Sequence, residues 1–228
     1  MKRISTIVIG AGQAGLAMSH CLSARGITHV VIERGEVANS WRKERWDSLR
    51  LLTPNWQSRL PGFSWSGPDP NGFMSMPEVI RYFGDYAAAS KAPVEASTNV
   101  LSVSAEGGGY RLSTDRGDWL CDNLVIATGA CNIANVPAQA SALPADIRQL
   151  TPFRYRGPGQ LHEGGVLIVG ASATGVQLAD EIRAAGHDVT MVGEFDDAMG
   201  HAGAAVLHAS GVMEGATDPR CDGAVAAF

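Results

Sequence analysis

The sequence predicts an α/β fold in three layers, with a small antiparallel β insertion and the beginning of a second domain of the same kind. Three observations lead there. A glycine triplet spaced G-x-G-x-x-G joins an apolar run to a helical pattern near the start of the chain. The same arrangement returns 160 positions later. Between the two, runs that alternate apolar and polar residues mark short antiparallel strands.

The first unit begins with the apolar run that ends at Ile9 and turns through Gly10, Gly12 and Gly15. Ala14, Ala17, Met18, Cys21 and Leu22 then recur at i, i+3, i+4, which predicts one buried helical face. Gly26 stands where a helix-ending glycine belongs. The run from His29 to Ile32 predicts the second strand and stops at Glu33, 18 residues after the last glycine of the triplet. The spacing has a chemical reason. Gly10 makes the tight turn, Gly12 lets a pyrophosphate approach the backbone, and Gly15 lets helix and strand pack closely. The helix N-terminus offers N–H groups and a positive dipole end to phosphates. Glu33 accepts hydrogen bonds from ribose hydroxyls. Together they predict a dinucleotide site.

In the echo, Gly170, Ser172 and Gly175 fall opposite the three glycines, after the run Val166 to Val169. Val176, Ala179 and Ile182 keep a helical face, Gly186 falls opposite Gly26, and Val189 to Val192 predicts a second strand. Position 193, opposite Glu33, is glycine. An acid there would repel a 2′-phosphate, so the second repeat admits NADP where the first favours free ribose hydroxyls.

Composition narrows the class. A net charge of −5 leaves no basic footprint for nucleic acid. Cys21, Cys121, Cys131 and Cys221 are scattered without a C-x-x-C pair, which suits reduced thiols and a cytoplasmic setting. The apolar run after Met1-Lys2-Arg3 is too short for a signal peptide, and no stretch approaches 18 apolar residues, so no membrane span is expected.

Residues 34–90 interrupt the α/β rhythm with a concentration of aromatics, among them Trp41, Trp46, Trp56, Tyr82, Phe83 and Tyr86. Pro54, Pro61, Pro68, Pro70 and Pro77 cut the stretch into short pieces, with one amphipathic helix after Pro77 carrying Val79, Ile80, Phe83, Tyr86 and Ala87. Arg42, Lys43, Arg45 and Arg50 lie among the first aromatics. Two readings stand: a tryptophan-rich core, or a wall around a flavin ring with arginines near phosphates. Residues 98–104 and 109–114 predict antiparallel strands, and the run from Trp119 to Thr128 a buried strand ending in Ala127-Thr128-Gly129. Small residues at such a strand end put backbone near a cofactor.

These motifs, with Asn39-Ser40-Trp41-Arg42, Trp46-Asp47-Ser48-Leu49-Arg50-Leu51 and Phe73-Met74-Ser75-Met76-Pro77, resemble the bacterial flavin-containing monooxygenase-like flavoproteins, which carry two dinucleotide-binding domains. The likeness, to a group whose members are sometimes described as flavoproteins of potassium transport, covers residues 4 to about 194. It implies a Rossmann-like FAD-binding domain over 1–155, with 34–90 as its excursion, a partial NAD(P)-binding domain over 160–194, and a divergent tail over 195–228. By resemblance, Gly10, Gly12, Gln13, Ala14, Gly15, Glu33, Arg34, Trp41, Val100, Ala127, Thr128 and Gly129 line FAD, with the Val100 backbone against the adenine. Gly170, Ser172, Thr174 and Gly175 meet NADPH. The implied reaction passes hydride from NADPH to FAD, then oxygen from dioxygen, through a flavin hydroperoxide, to a small substrate bearing nitrogen, sulfur or a carbonyl. It needs no catalytic side chain and no metal. The missing C-x-x-C disfavours a thioredoxin-reductase type of chemistry.

Two departures accompany the resemblance. Gln149 stands near the place of a histidine in the monooxygenase fingerprint H-x-x-x-[WFY], and His162, out of register, is expected to be a solvated loop residue. Residues 195–228 are rich in Ala and Gly, show no readable set of strands, and carry Arg220 as their single Arg or Lys. They are too few to finish a doubly wound domain, since a βαβ unit takes ~30 residues or more. The expectation is a truncated member, against a natural short variant that passes electrons to a partner. A catalytically inactive nucleotide-binding remnant is the alternative to an active oxidoreductase. Apolar surface on an open second domain predicts a homodimer or poor solubility.

Overall fold

Strand β1 (Lys2–Ile9) carries Ile7 and Val8, which point to opposite faces and are both fully buried, as befits a strand covered on two sides. The structure, a computed structural model, describes residues 1–130, 133–162, 164–170, 172–187, 189, 203–207 and 213–217. It divides into two units, Met1–Gly157 and Pro158–Phe228.

In the first unit β1 leads through helix α1 (Gln13–Ser23) to strand β2 (His29–Ile32). A short helix α2 (Asn39–Lys43) and a two-residue-per-strand hairpin, β3 (Arg59–Leu60) with β4 (Phe63–Ser64), occupy the excursion. Helix α3 (Met76–Ala89) and strand β5 (Val94–Glu95) close it. Strands β6 (Val100–Glu106), β7 (Gly109–Thr114) and β8 (Trp119–Ile126) follow. Among the described residues the main sheet runs β5-β2-β1-β8-β7-β6. The first four strands are parallel, with Ile7 opposite Val30 on one side and Leu124 on the other, while β7 is antiparallel to β6 and β8.

Two clusters cover the faces of the parallel strands. Val8, Leu16 and Val31 pack with Val79, Tyr82, Phe83 and Tyr86 of α3, so both helices lie on one face. Ile7, Val30 and Ile32 pack on the other with Leu112 of β7, Val100 of β6, and Trp119 and Cys121 at the start of β8. The insertion thus takes the place of a helix layer. Burial holds the Cys121 thiol above its ordinary range, and Cys21 and Cys121 are both free. Cys131 and Cys221 lie outside the described residues.

Several expectations need correction. The buried stripe of α1 is Gly15, Leu16 and Ser19, whereas Ala14 and Met18 are exposed. Close packing of Gly15 on the strand sets this phase. Ser19 tolerates full burial because its hydroxyl meets His29 Nε2 at 2.8 Å. His29 Nδ1 lies 2.9 Å from the Ile27 carbonyl, which only accepts, so in the neutral ring that nitrogen carries the proton and Nε2 accepts from Ser19. Strand β8 is buried only in its first half. Its pairing with β7 ends at Cys121, and Ile126 is 71% exposed.

The second unit holds helix α4 (Ala173–Ala184) and an antiparallel hairpin of β9 (Gly203–Leu207) with β10 (Met213–Thr217). The hairpin lies in the tail where no strands were readable, because alanine and glycine hide the alternation that marks a strand. The expected strand over 166–169 is not formed. Among the described residues nothing pairs with it, and Leu167 is 83% exposed. An apolar run becomes a strand only when a neighbour takes its backbone hydrogen bonds. Of the run 189–192 only Val189 is described, outside any strand, and position 193 lies outside the described residues. No described helix is long and apolar enough to cross a membrane.

The start of α3 generates a test. The Glu78 carboxylate accepts from the Ser75 N–H at 2.7 Å and from the Ser75 hydroxyl at 2.6 Å, and these bonds hold its pKa below the ordinary 4.5. A depressed carboxylate contributes stability above its unfolded pKa and loses it as pH falls through the folded one. Ser75→Ala is therefore expected to cost about 1 kcal/mol at pH 7. It should also flatten the loss of stability on acidification below the ordinary carboxylate range. Urea unfolding of both proteins at pH 7 and under acid conditions measures the two effects.

Candidate nucleotide-binding site

The three glycines of the first turn are glycine for different reasons. Gly10 has φ +105°, and a Cβ there would lie 2.5 Å from the Ala127 carbonyl oxygen. A Cβ on Gly15 would lie 1.8 Å from the Gly10 carbonyl oxygen, so α1 and β1 meet backbone to backbone. At Gly12 a Cβ would meet nothing within 4 Å. Two positions are closed by packing, and the third faces open space at the N-terminus of α1. Gly12 caps that helix without a side-chain hydrogen bond, and its carbonyl accepts the first helical bond from Leu16 N–H at 3.0 Å. The N–H groups of Gln13, Ala14 and Gly15 belong to the orphan donors of the first turn, where an anion binds.

The sheet order explains why this turn sits in a crevice. From β1 the chain crosses to β2 on one side, while β8 lies on the other. The carboxyl ends of β1 and β8 therefore flank a switch point, the place where open α/β sheets bind ligands. Ala127 N–H donates to the Ile9 carbonyl at 2.9 Å, and Thr128 and Gly129 continue from it, exposed, beside Gly10.

Glu33, at the end of β2, is 7% exposed. Its Oε2 accepts from Ala11 N–H at 2.8 Å and its Oε1 from Gly35 N–H at 3.1 Å. A carboxylate has about four acceptor sites, so both oxygens can still accept from a hydroxyl pair. Thr98 N–H donates to the Glu33 carbonyl at 2.8 Å and Ser97 N–H to the Gly35 carbonyl at 2.7 Å. These bonds lay the segment leading to Val100 alongside Glu33, and Val100 itself is half-buried against the second cluster. Arg34 turns to Glu44, Nη2 to Oε1 at 2.5 Å.

Beside the N-terminus of α1 lies a cavity of about 290 Å³, bounded by Gln13, Trp41, Leu51, Met74, Tyr82 and Phe83. The excursion is thus both core and wall. Trp46 is buried, Trp41 faces the cavity, and Trp56 and Phe73 are each about half exposed. Tyr82 donates its phenol to the Ser58 carbonyl at 3.0 Å and Tyr86 to the Pro61 carbonyl at 3.1 Å. Burial pushes both phenols up, so both are neutral donors. The excursion arginines serve the chain: Arg42 donates to Val37 and pairs with Glu36 at 3.5 Å, and Arg50 donates to the Phe73 carbonyl at 3.2 Å. Leu51 and Met74, which line the cavity, belong to motifs that carry the resemblance but have no role assigned by it, and Thr53 and Gln57 line it without any signal in the sequence. Tyr82 was findable, three residues after Val79 on the same helical face.

The second unit repeats the turn. Gly170 has φ +107°, and a Cβ on Gly175 would lie 1.7 Å from the Gly170 carbonyl oxygen. Ser172 caps α4 at φ −81°, ψ −177°, close to the −89°, −166° of Gly12. Val176 N–H closes the first helical bond on Ser172 at 3.1 Å, and Thr174 is half-buried in the first turn. His162 is exposed, as expected. Among the described residues no group of His, Cys, Asp or Glu is placed to hold a metal.

Comparison with known proteins bears on these turns. The profile of a family described as pyridine nucleotide-disulphide oxidoreductase matches residues 7–202. An uncharacterized CzcO-like oxidoreductase of Geobacillus kaustophilus is 37% identical over 180 residues, covering 78% of this chain and 51% of the relative. The chain spans about half the length of the curated relatives it matches. The solved flavin-containing monooxygenase from Stenotrophomonas maltophilia superposes with a TM-score of 0.72 at 27% identity, covering 81% of this chain and 56% of that one. The solved complex of OTEMO with FAD and NADP gives a TM-score of 0.51 at 26% identity, over 59% of this chain and 27% of that one.

The glycine geometry separates packing from binding. Gly15→Ala is expected to destabilise the protein by about 3 kcal/mol or more, since backbone must move to admit the methyl group. Gly12→Ala, at a φ open to any residue and with empty space before it, is expected to stay within about 0.5 kcal/mol of the parent. Thermal unfolding of the two variants measures the contrast. Equal losses would contradict it.

Proposed function

The chain belongs to the pyridine nucleotide-disulphide oxidoreductase family, and from that premise we propose that it acts as an FAD- and NADPH-dependent oxidoreductase of the flavin monooxygenase type, in the cytoplasm. The observation that carries this reading is the cavity that abuts the uncapped N-terminus of α1, beside an acid with free acceptor capacity. The residues present fit FAD. The N–H groups from Gln13 to Gly15 would hold its pyrophosphate, Gly12 leaves the approach open, and Glu33 would accept from the ribose hydroxyls. The backbone around Val100 would border the adenine, Ala127, Thr128 and Gly129 would border the turn, and Trp41 would face the ring. NADPH would lie on the second turn, at Gly170, Ser172, Thr174 and Gly175, where the same orphan donors recur.

When bound, FAD supplies a hydride acceptor and the means to activate dioxygen for transfer to a small substrate bearing nitrogen, sulfur or a carbonyl. The chain's part is to orient and to exclude water. Leu51, Met74, Tyr82 and Phe83 wall the cavity with apolar surface, and the two tyrosine hydroxyls pin the excursion so that the wall keeps its shape. The sequence holds no C-x-x-C pair, and the free Cys21 and Cys121 belong to a helix and a strand of the core. This favours the oxygenase arm over disulfide reduction.

One observation favours a second reading, a nucleotide-binding remnant without turnover. The run 166–169, which precedes the second turn, has no strand partner among the described residues and exposes Val166, Leu167 and Val169. The visible spectrum of the purified protein, before and after anaerobic NADPH, decides between them. A bound flavin that bleaches is expected under the oxidoreductase reading. A flavin that persists limits function to the first turn, and a colourless protein that does not take up FAD refutes the oxidoreductase. Gly12→Val is expected to remain folded and to lose the flavin spectrum, because its side chain fills the space left for the pyrophosphate.

A further inference from the structure

We propose that Arg45 is a positioning residue that couples Trp41, on the wall of the cavity, to the strap of residues 151–156. The proposal rests on the FAD reading given above. Helix α2 has five residues, too few to hold a side chain by itself, and starts from Ala38 in a left-handed conformation at φ 61°. What orients Trp41 must therefore come from packing. Four residues on, past the end of α2, the Arg45 guanidinium lies 5.8 Å from the centre of the Trp41 ring. It lies 5.6 Å from the centre of the Phe153 ring, on the strap. Both distances are within the range of a cation–π contact.

Arg45 is half-buried, and among the described residues no carboxylate pairs with it. Its Nη1 donates to the Glu44 carbonyl at 2.8 Å. The two ring faces are what remains to balance a partly desolvated charge. The strap is fastened to the same place by backbone as well. Arg156 donates a guanidinium N–H to the Arg45 carbonyl, and Asp47 N–H donates to the Arg156 carbonyl at 3.0 Å. Tyr155, between these anchors, is 4% exposed. The ring that faces the cavity, the guanidinium and the strap form one contiguous stack. A ligand that fixes Trp41 stiffens the stack, and loss of the strap loosens Trp41. Linkage makes the two effects equal in binding free energy.

The test uses the full chain and two readouts. FAD affinity is measured by quenching of tryptophan fluorescence, and trypsin cleavage after Arg154 and Arg156 reports the strap. Arg45→Met keeps length and removes charge, and Phe153→Ala touches the stack but not the cavity. Each is expected to weaken FAD about five- to tenfold and to speed cleavage of the strap, with Arg45→Lys intermediate. In the parent, FAD is expected to slow that cleavage, and in Arg45→Met to leave it unchanged. Unaltered circular dichroism and melting temperature separate positioning from general damage. FAD binding equal in parent, Arg45→Met and Phe153→Ala overturns the coupling while leaving the FAD reading intact. A parent that binds no FAD overturns both.

Discussion

The approach of Gly15 to the Gly10 carbonyl is the contact on which the first unit depends. It leaves no room for a side chain, so helix α1 starts in contact with the end of β1. Three consequences follow from that one distance. The helix must bury Gly15, and therefore Leu16 and Ser19 with it. Its N-terminus must point across the carboxyl ends of β1 and β8. And Gly12, one step outside the contact, is left facing open space where an anion meets backbone N–H groups and the helix dipole together. Packing and binding thus arise from the same three glycines, divided by which of them the strand has closed.

The excursion solves a different problem. Residues 34–75 make little regular structure, yet they must present a stable wall. The described contacts show how. Carbonyls of Ser58 and Pro61 are bound by phenols that project from α3, and the Phe63 ring packs against Tyr82 and Tyr86 with centroids 5.4 Å apart in each pair. Each phenol satisfies a loop carbonyl while its ring fills the core, so an irregular chain is held by a regular helix. Two of the arginines that the sequence places among these aromatics, Arg42 and Arg50, fasten the loop to itself, at Glu36, Val37 and Phe73.

The two repeats share local geometry and differ in surroundings. Gly10 and Gly170 have φ of +105° and +107°, and Gly15 and Gly175 make the same impossible Cβ contact. Yet Gly10 presses on Ala127, while among the described residues a Cβ on Gly170 would meet nothing within 4 Å. The turn is therefore a local property of the spacing.

That contrast marks what the sequence by itself determined. Turn chemistry and the phase of a glycine triplet are short-range, so the first strand, both turns, β2, β7 and the helix after Pro77 were legible from residue types. The α1 face was misplaced by one residue, because periodicity among small residues is weak and the choice of phase lay with the strand beneath Gly15. The run 166–169 looked like a strand and has no strand partner among the described residues, since a strand exists only with a partner and no local pattern supplies one. The hairpin at 203–217 was invisible for the opposite reason: its pairing needs no patterned side chains. The cavity was the least legible feature. Gln13, Trp41, Leu51, Met74 and Tyr82 lie far apart in sequence and share no spacing. Only the tertiary structure brought them together, because what they have in common is the space left between a helix N-terminus and a loop held down by two phenols.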